Sequence, residues 1–305
     1  MTTSSPLAAP SGPIAANLFC VASMLVWALG LVAGDVLTPI IPPLELAALR
    51  AGTAALVLMP VWWLVEGFGP SRTAHWGRAL FVGGIGIGIG AYLLVVAQAQ
   101  TDAVTVAVVS AMTPIVGILL ECLLDGRRLT WTMLAGLVLS VGGGLLALDW
   151  TQGGVALGLG ALAAVASVIS FTWASRATVT AFPDLTALGR TAITITGGSV
   201  FAVGGAVAGY FLGAPDAQWA AIGWPEIAAL LAFGIGSLAI SQTFWIMGVG
   251  RLGIAIAGMH MNTASFYVML IVFVTGGLWD WQRAGGAAVV VLGVLVAQGA
   301  FGARR

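Results

Sequence analysis

The sequence predicts an all-α polytopic membrane protein, with ten transmembrane helices arranged as two inverted five-helix repeats and both termini in the cytoplasm. Three observations predict it. First, the chain has 305 residues, 60% hydrophobic and only 7% charged, with a mean hydropathy of +1.06. Soluble domains carry about 25% charged residues, because a water-facing surface has to be covered with polar groups at any size. Second, apolar runs long enough to cross a hydrocarbon core about 30 Å thick recur along the whole chain. Third, the sequence matches itself at an offset of 150 residues. The composition excludes a disulfide scaffold, a soluble enzyme and a nucleic-acid binder, since no lysine occurs and eleven arginines balance eleven acids.

Residues 1–13 lack the positive n-region of a secretory signal and read as a disordered cytoplasmic tail. Spanning runs bounded by Pro, Gly or charge follow at 14–35, 44–66, 77–100, 103–124, 129–148, 154–176, 185–212, 226–248, 253–275 and 283–301. Five form a first repeat over 14–148 and five a second over 149–301, leaving 302–305 as a cytoplasmic C-terminus. Cys20 and Cys122 fall within apolar runs and read as small packing residues. With the N-terminus inside, Arg72, Arg78, Arg127, Arg128, Arg176, Arg190, Arg251, Arg304 and Arg305 collect on the cytoplasmic side. Arg283 alone lies near an outer end and Arg50 lies within the second helix, so the positive-inside bias is nine to one.

At the offset of 150, Gly84-Ile85-Gly86 meets Gly234-Ile235-Gly236, and Gly126, Trp131, Gly136 and Gly143 meet Gly276, Trp281, Gly286 and Gly293. Nearer the N-terminus the register becomes 140 and pairs Arg50 with Arg190. Five helices per copy is an odd number, so the second copy enters the membrane from the opposite side. Many secondary transporters are built this way, with the substrate site near the midplane between repeats.

The segments LVWALGLVAGDVLTPIIPPLELAALRAG at 25–52 and AVTVAVVSAMTPIVGILLECLLDGRRLTWTMLAGLVLSVGGGLL at 103–146 resemble the EamA-type repeat of the drug/metabolite transporter superfamily. The resemblance rests on Trp27, Arg50, Thr113-Pro114 and Gly136, and covers nearly the whole chain as two tandem repeats. Ala264 stands where the first half has Pro114, and Thr275 where it has Asp125. The resemblance implies a multi-pass protein of the inner (plasma) membrane, monomeric and without cofactor, whose partners are the lipid bilayer and a small-molecule substrate. Among family members the chain is most similar to bacterial exporters of amino acids, the aromatic amino acid branch in particular.

Candidate substrate-binding residues come from the repeat register. On the fourth helix Ser110, Thr113, Gly117 and Glu121 share one helical face. The first three correspond to His260, Thr263 and Tyr267 on the ninth, and Tyr92 on the third helix corresponds to Gln242 on the eighth. Tyr92, Ser110, Gln242, His260, Thr263 and Tyr267 are therefore expected to line a cavity on the pseudo-symmetry axis, with Trp27 added. Each has a structural alternative: interhelical or intrahelical hydrogen bonding for the polar groups, packing for Trp27. Arg50 and Arg190 read either as snorkelling cations or as gating or carboxylate-binding groups. Pro114 is expected to kink the fourth helix, and Glu121 to pair with Arg127 or Arg128. Gly86-Ile87-Gly88-Ile89-Gly90-Ala91 matches a degenerate dinucleotide fingerprint but lacks the strand that such a site needs, and reads as close helix packing.

The expected function is secondary transport of amino acids or related metabolites by alternating access, as exporter or facilitator. The competing readings are export of other metabolites or cationic drugs, a channel, and an intramembrane enzyme. No catalytic motif and no metal-ligand cluster occurs, and all eleven acids fall at or near helix ends or in loops. Transport is therefore expected to run down the substrate's own gradient, with His260 as the sole interior group able to carry a proton. A reporter active only in the cytoplasm, fused after Arg305, is expected to be active; activity of a periplasmic reporter there would contradict the ten-span topology.

Overall fold

The computed structural model describes residues 12–101, 106, 109–146, 158–276 and 278–298. The expected tail, Asp102, the connection holding Asp149, and Arg304 and Arg305 lie outside them. The described residues contain helices and no strand: α1 (Pro13–Leu37), α2 (Pro43–Glu66), α3 (Trp76–Gln100), α4 (Thr113–Asp125), α5 (Trp131–Leu146), α6 (Leu159–Thr180), α7 (Ala187–Phe211), α8 (Trp224–Leu252), α9 (Ile254–Val274) and α10 (Trp281–Ala297). Seven of these, α1 to α3 and α6 to α9, are long and apolar enough to cross a membrane, and α5 and α10 contain shorter apolar helices. The chain is thus a multi-pass membrane protein. Helical form follows from the solvent, since a lipid-exposed backbone has to satisfy its N–H and C=O groups within its own segment.

Local chemistry sets several ends. Prolines occupy the first turns of α1, α2, α4 and α8, where a missing N–H costs nothing. The Thr186 hydroxyl accepts from the Gly189 N–H to cap α7. Gly126 and Gly276 follow α4 and α9 at φ +63° and +103°, a region that costs a residue with a Cβ 1–2 kcal/mol in order of magnitude. Trp131, Trp224 and Trp281 open α5, α8 and α10 and are exposed, as interfacial anchors are.

Two helices change winding midway. Val82–Ile89 in α3 and Ala232–Ile240 in α8 are π-helical, in the register of 150. In α9 a 3-10 turn runs over His260–Thr263, and in the corresponding stretch of the first half Ala111 and Met112 form a turn before α4 starts. Pro114 therefore opens a helix instead of kinking one: its ring meets no carbonyl four residues back in an intact helix, because the helix begins at Thr113.

The helices pair as α1 with α8, α2 with α7, α3 with α6, α4 with the first turns of α9, and α5 with α10, while α7 also packs on the π-helical part of α3. Glycine makes these approaches possible. A Cβ at Gly83 would overlap the Thr194 carbonyl, one at Gly136 would lie 2.6 Å from Gly293 O, and one at Gly143 would lie 2.6 Å from Gly286 O. Small hydroxyls add short bonds between helices: Ser23 Oγ donates to Ser241 O at 2.9 Å, Ser241 Oγ to Ser23 O at 2.9 Å, and Ser167 Oγ to Gly90 O at 2.8 Å. Gly83→Ala is expected to lower stability in detergent by about 1–3 kcal/mol through overpacking. Gly204→Ala on α7, where a Cβ meets nothing within 4 Å, is expected to leave the melting temperature unchanged.

Candidate functional site

A cavity opens among α1, α2, α3, α6, α8, α9 and the start of α4 with the stretch before it. It encloses about 590 Å³ of empty space, counting its mouth. Of the sequence-predicted residues, Trp27, Ser110, Gln242 and Arg50 line it, together with Thr113. Ser167, Phe171, Ser237 and Met261 complete much of the wall.

Arg50 is the charged group of this lining and is buried, with 4% of its surface exposed. It does not snorkel. Nε donates to Phe233 O at 3.3 Å, Nη2 donates to Ser237 Oγ at 3.1 Å, and the guanidinium carbon sits 4.3 Å from the centre of the Phe233 ring. Among the described residues no carboxylate pairs with it and Nη1 makes no hydrogen bond. A cation taken out of water without a counter-ion is costly, and a carbonyl, a hydroxyl and an aromatic face offset part of that cost.

The neutral lining has spare hydrogen-bonding capacity. Thr113 Oγ1 is fully buried without a partner, and the Gln242 amide makes no hydrogen bond among the described residues. Ser110 Oγ instead donates to Val106 O at 2.8 Å, within its own helix. Trp27 and Phe171 contribute aromatic surface.

Tyr92, His260, Thr263 and Tyr267 do not line the cavity. His260 and Thr263 lie in the 3-10 turn, whose three residues per turn shift the phase of an α-helical face, and Met261 takes the lining position. Thr263 Oγ1 donates to His260 O at 2.6 Å, and His260 is buried with Nδ1 unbonded. Tyr267 packs against the central apolar cluster with its ring 5.6 Å from that of Phe266. Tyr92 is 37% exposed. On α3 the lining residues are Gly86, Ile87, Gly90, Ala91 and Leu94 and on α8 Ser237, Leu238 and Gln242, so Ile87 meets Ser237 in the register of 150, while Tyr92, the counterpart of Gln242, falls outside.

Arg190 sits away from the cavity, donating to Phe182 O at 2.7 Å and Pro183 O at 2.9 Å. At the same end of the bundle Glu121, buried, pairs with Arg127 and accepts from the Ala255 N–H at 3.0 Å, tying α4 to α9. Asp125 pairs with Arg176 and ties α4 to α6. Among the described residues no group of three or more His, Cys, Asp or Glu side chains is placed to hold a metal ion.

Sequence reasoning missed Ser167, Phe171 and Ser237 as lining residues. The first two share a face of α6 at a spacing of four, a signal available in the sequence but shared by every amphipathic helix. Ser237 is masked by the π-helical winding, which no pattern of apolar residues announces. In a protein lacking Cys20 and Cys122, cysteine at Ser110 or Gln242 is expected to react with a small water-soluble thiol reagent, and cysteine at Tyr92 to react faster with a lipid-soluble maleimide. The opposite order would displace the cavity.

Residues 14–148 match the model of the EamA-like transporter family. No curated protein matches the chain. Solved structures do, and one described only as "Crystal structure of protein" superposes with a TM-score of 0.73 at 23% identity, covering 92% of this chain and 95% of its own. That likeness establishes a shared fold along most of the length. Over residues 14–148 this multi-pass membrane protein is thus similar to the EamA-like transporter family.

Proposed function

We propose that the chain is a secondary transporter that exports amino acids, aromatic ones among them, across the inner (plasma) membrane by alternating access. The observation that carries this reading is Arg50, a buried cation without an acid partner, in a cavity otherwise walled by aromatic rings and neutral polar groups. A substrate carboxylate supplies the missing counter-charge through charge-assisted bonds to the guanidinium. The Thr113 hydroxyl and Gln242 amide offer acceptors to an ammonium group, and Trp27 and Phe171 offer faces to an apolar or aromatic side chain. A cationic drug lacks the group that Arg50 requires and would meet like charge.

The ten-span, two-repeat organisation over 14–148 and 149–301 is part of the same proposal. An inverted repeat relates helices one to five with six to ten, so it calls for pairs 2–7, 4–9 and 5–10 across the axis and for 1–8 to be mirrored by 3–6. The observed helix pairs follow that rule. The crossed glycine contacts, Gly136 with Gly293 and Gly143 with Gly286, exchange partners under the offset of 150, as a two-fold axis demands. The changes of winding at 82–89 and 232–240 offer each repeat an element able to flex. Exchange down the substrate's own gradient fits a cavity lining without a carboxylate.

The test is counterflow in sealed liposomes containing only this protein, preloaded with a panel of amino acids. Uptake of labelled tryptophan or phenylalanine is expected, and Arg50→Gln is expected to reduce it at least tenfold, about 1.4 kcal/mol of lost interaction, with folded yield preserved. Uptake that ignores every amino acid, or survives Arg50→Gln unchanged, would reject the proposal.

A further inference from the structure

The geometry points to Ser237, backed by Phe233, as the positioning residue of Arg50: the π-helical stretch of α8 sets the orientation of the guanidinium and thereby the preference for substrates that bear a carboxylate. This inference rests on the reading of Arg50 as the carboxylate-binding group.

An arginine recognises a carboxylate by a planar fork of N–H donors, and the fork is selective only if its plane is held. Arg50 reaches the cavity from α2, but what holds its far end comes from α8. Ser237 Oγ gives its one proton to Phe233 O at 2.8 Å, so towards Arg50 Nη2, 3.1 Å away, the hydroxyl is an acceptor. Phe233 O receives Nε as well, and the Phe233 ring lies against the guanidinium face. One oxygen at Nε, one at Nη2 and a ring beneath the guanidinium carbon leave Nη1 as the nitrogen without a partner among the described residues, in a cavity that Arg50 lines.

The space for this arrangement is made by two glycines, Gly30 of α1 and Gly234 of α8 itself. A Cβ at Gly30 of α1 would overlap both the Cβ and the hydroxyl of Ser237, and a Cβ at Gly234 would overlap the Thr53 hydroxyl of α2. The clamp belongs to one half of the chain. In the register of 150 Ser237 corresponds to Ile87, which has no hydroxyl, and Arg190, the counterpart of Arg50, spends its donors on loop carbonyls. The fixed charge of the cavity lining thus derives from a single oriented cation.

The test is a double-mutant cycle read as a ratio of affinities. Purified protein in nanodiscs is titrated with tryptophan and with tryptamine, which lacks the carboxylate, and the ratio of the two Kd values is compared among variants. The unaltered protein is expected to favour tryptophan at least tenfold. Ser237→Ala is expected to cut that preference to threefold or less while leaving the tryptamine Kd unchanged. In an Arg50→Gln background, where the preference is already gone, Ser237→Ala is expected to change nothing further. Equal effects of Ser237→Ala on both ligands, or the same effect with and without Arg50, would overturn the positioning role. If Arg50→Gln itself leaves the ratio intact, the carboxylate reading fails and the clamp with it; if Arg50→Gln abolishes the preference and Ser237→Ala does not lower it, the clamp alone fails. Should Ser237→Ala accumulate poorly, Phe233→Leu, which keeps the carbonyl and removes the ring, is expected to lower the same ratio, and an unchanged ratio would count against the clamp.

Discussion

Between helices in lipid there is no hydrophobic drive, because the tails are as apolar as leucine, so this chain is held together by how closely its backbones can approach. The crossings of α3 with α7 and of α5 with α10 are built on that constraint. At Gly83, Gly136, Gly143 and Gly293 a single added carbon would run into a carbonyl or amide of the neighbouring helix. Such contact recovers dispersion energy and shields backbone dipoles. At the centre the helices leave a cavity between them, with Gly86 and Gly90 of α3 in its wall.

Into that space the chain places a cation. Arg50 has no acid beside it among the described residues and is carried by the Phe233 carbonyl, the Phe233 ring and the Ser237 hydroxyl. None of these neutralises charge, so among the described residues the cation stands without a counter-charge. The partnerless Thr113 hydroxyl is a second polar group whose bonding is unfinished. Stability is given up at both positions.

The end of the bundle where α4 meets α6 and the first turns of α9 has a different character. Glu121 with Arg127 and the Ala255 amide, and Asp125 with Arg176, join α4 to α9 and α6 by charge. The positions of the second half in the register of 150 are Ile271 and Thr275, which carry no charge. The two ends of the pathway are therefore not chemically equivalent, although the backbone follows the repeat through its π-helical stretches and its left-handed glycines.

Membrane residence and the positions of most long helices were legible in the sequence, because both depend on composition or period: 7% charge over 305 residues and apolar runs of spanning length; the fourth run, expected over 103–124, instead gives a helix from Thr113 after a turn at 111 and 112. The pairing of Glu121 with Arg127 was legible too, since both lie on one turn. Which side chains meet in the middle was not. Extrapolating an α-helical face put His260, Thr263, Tyr267 and Tyr92 on the axis, whereas a 3-10 turn in α9 and π-helical winding in α3 and α8 placed Met261 and Ser237 in the lining instead. Pro114 opens a helix where the sequence alone implied a kink. Hydrophobic periodicity reports the average winding of a segment, but the direction of one side chain depends on every residue of phase gained or lost before it, and that is decided by packing against helices distant in sequence.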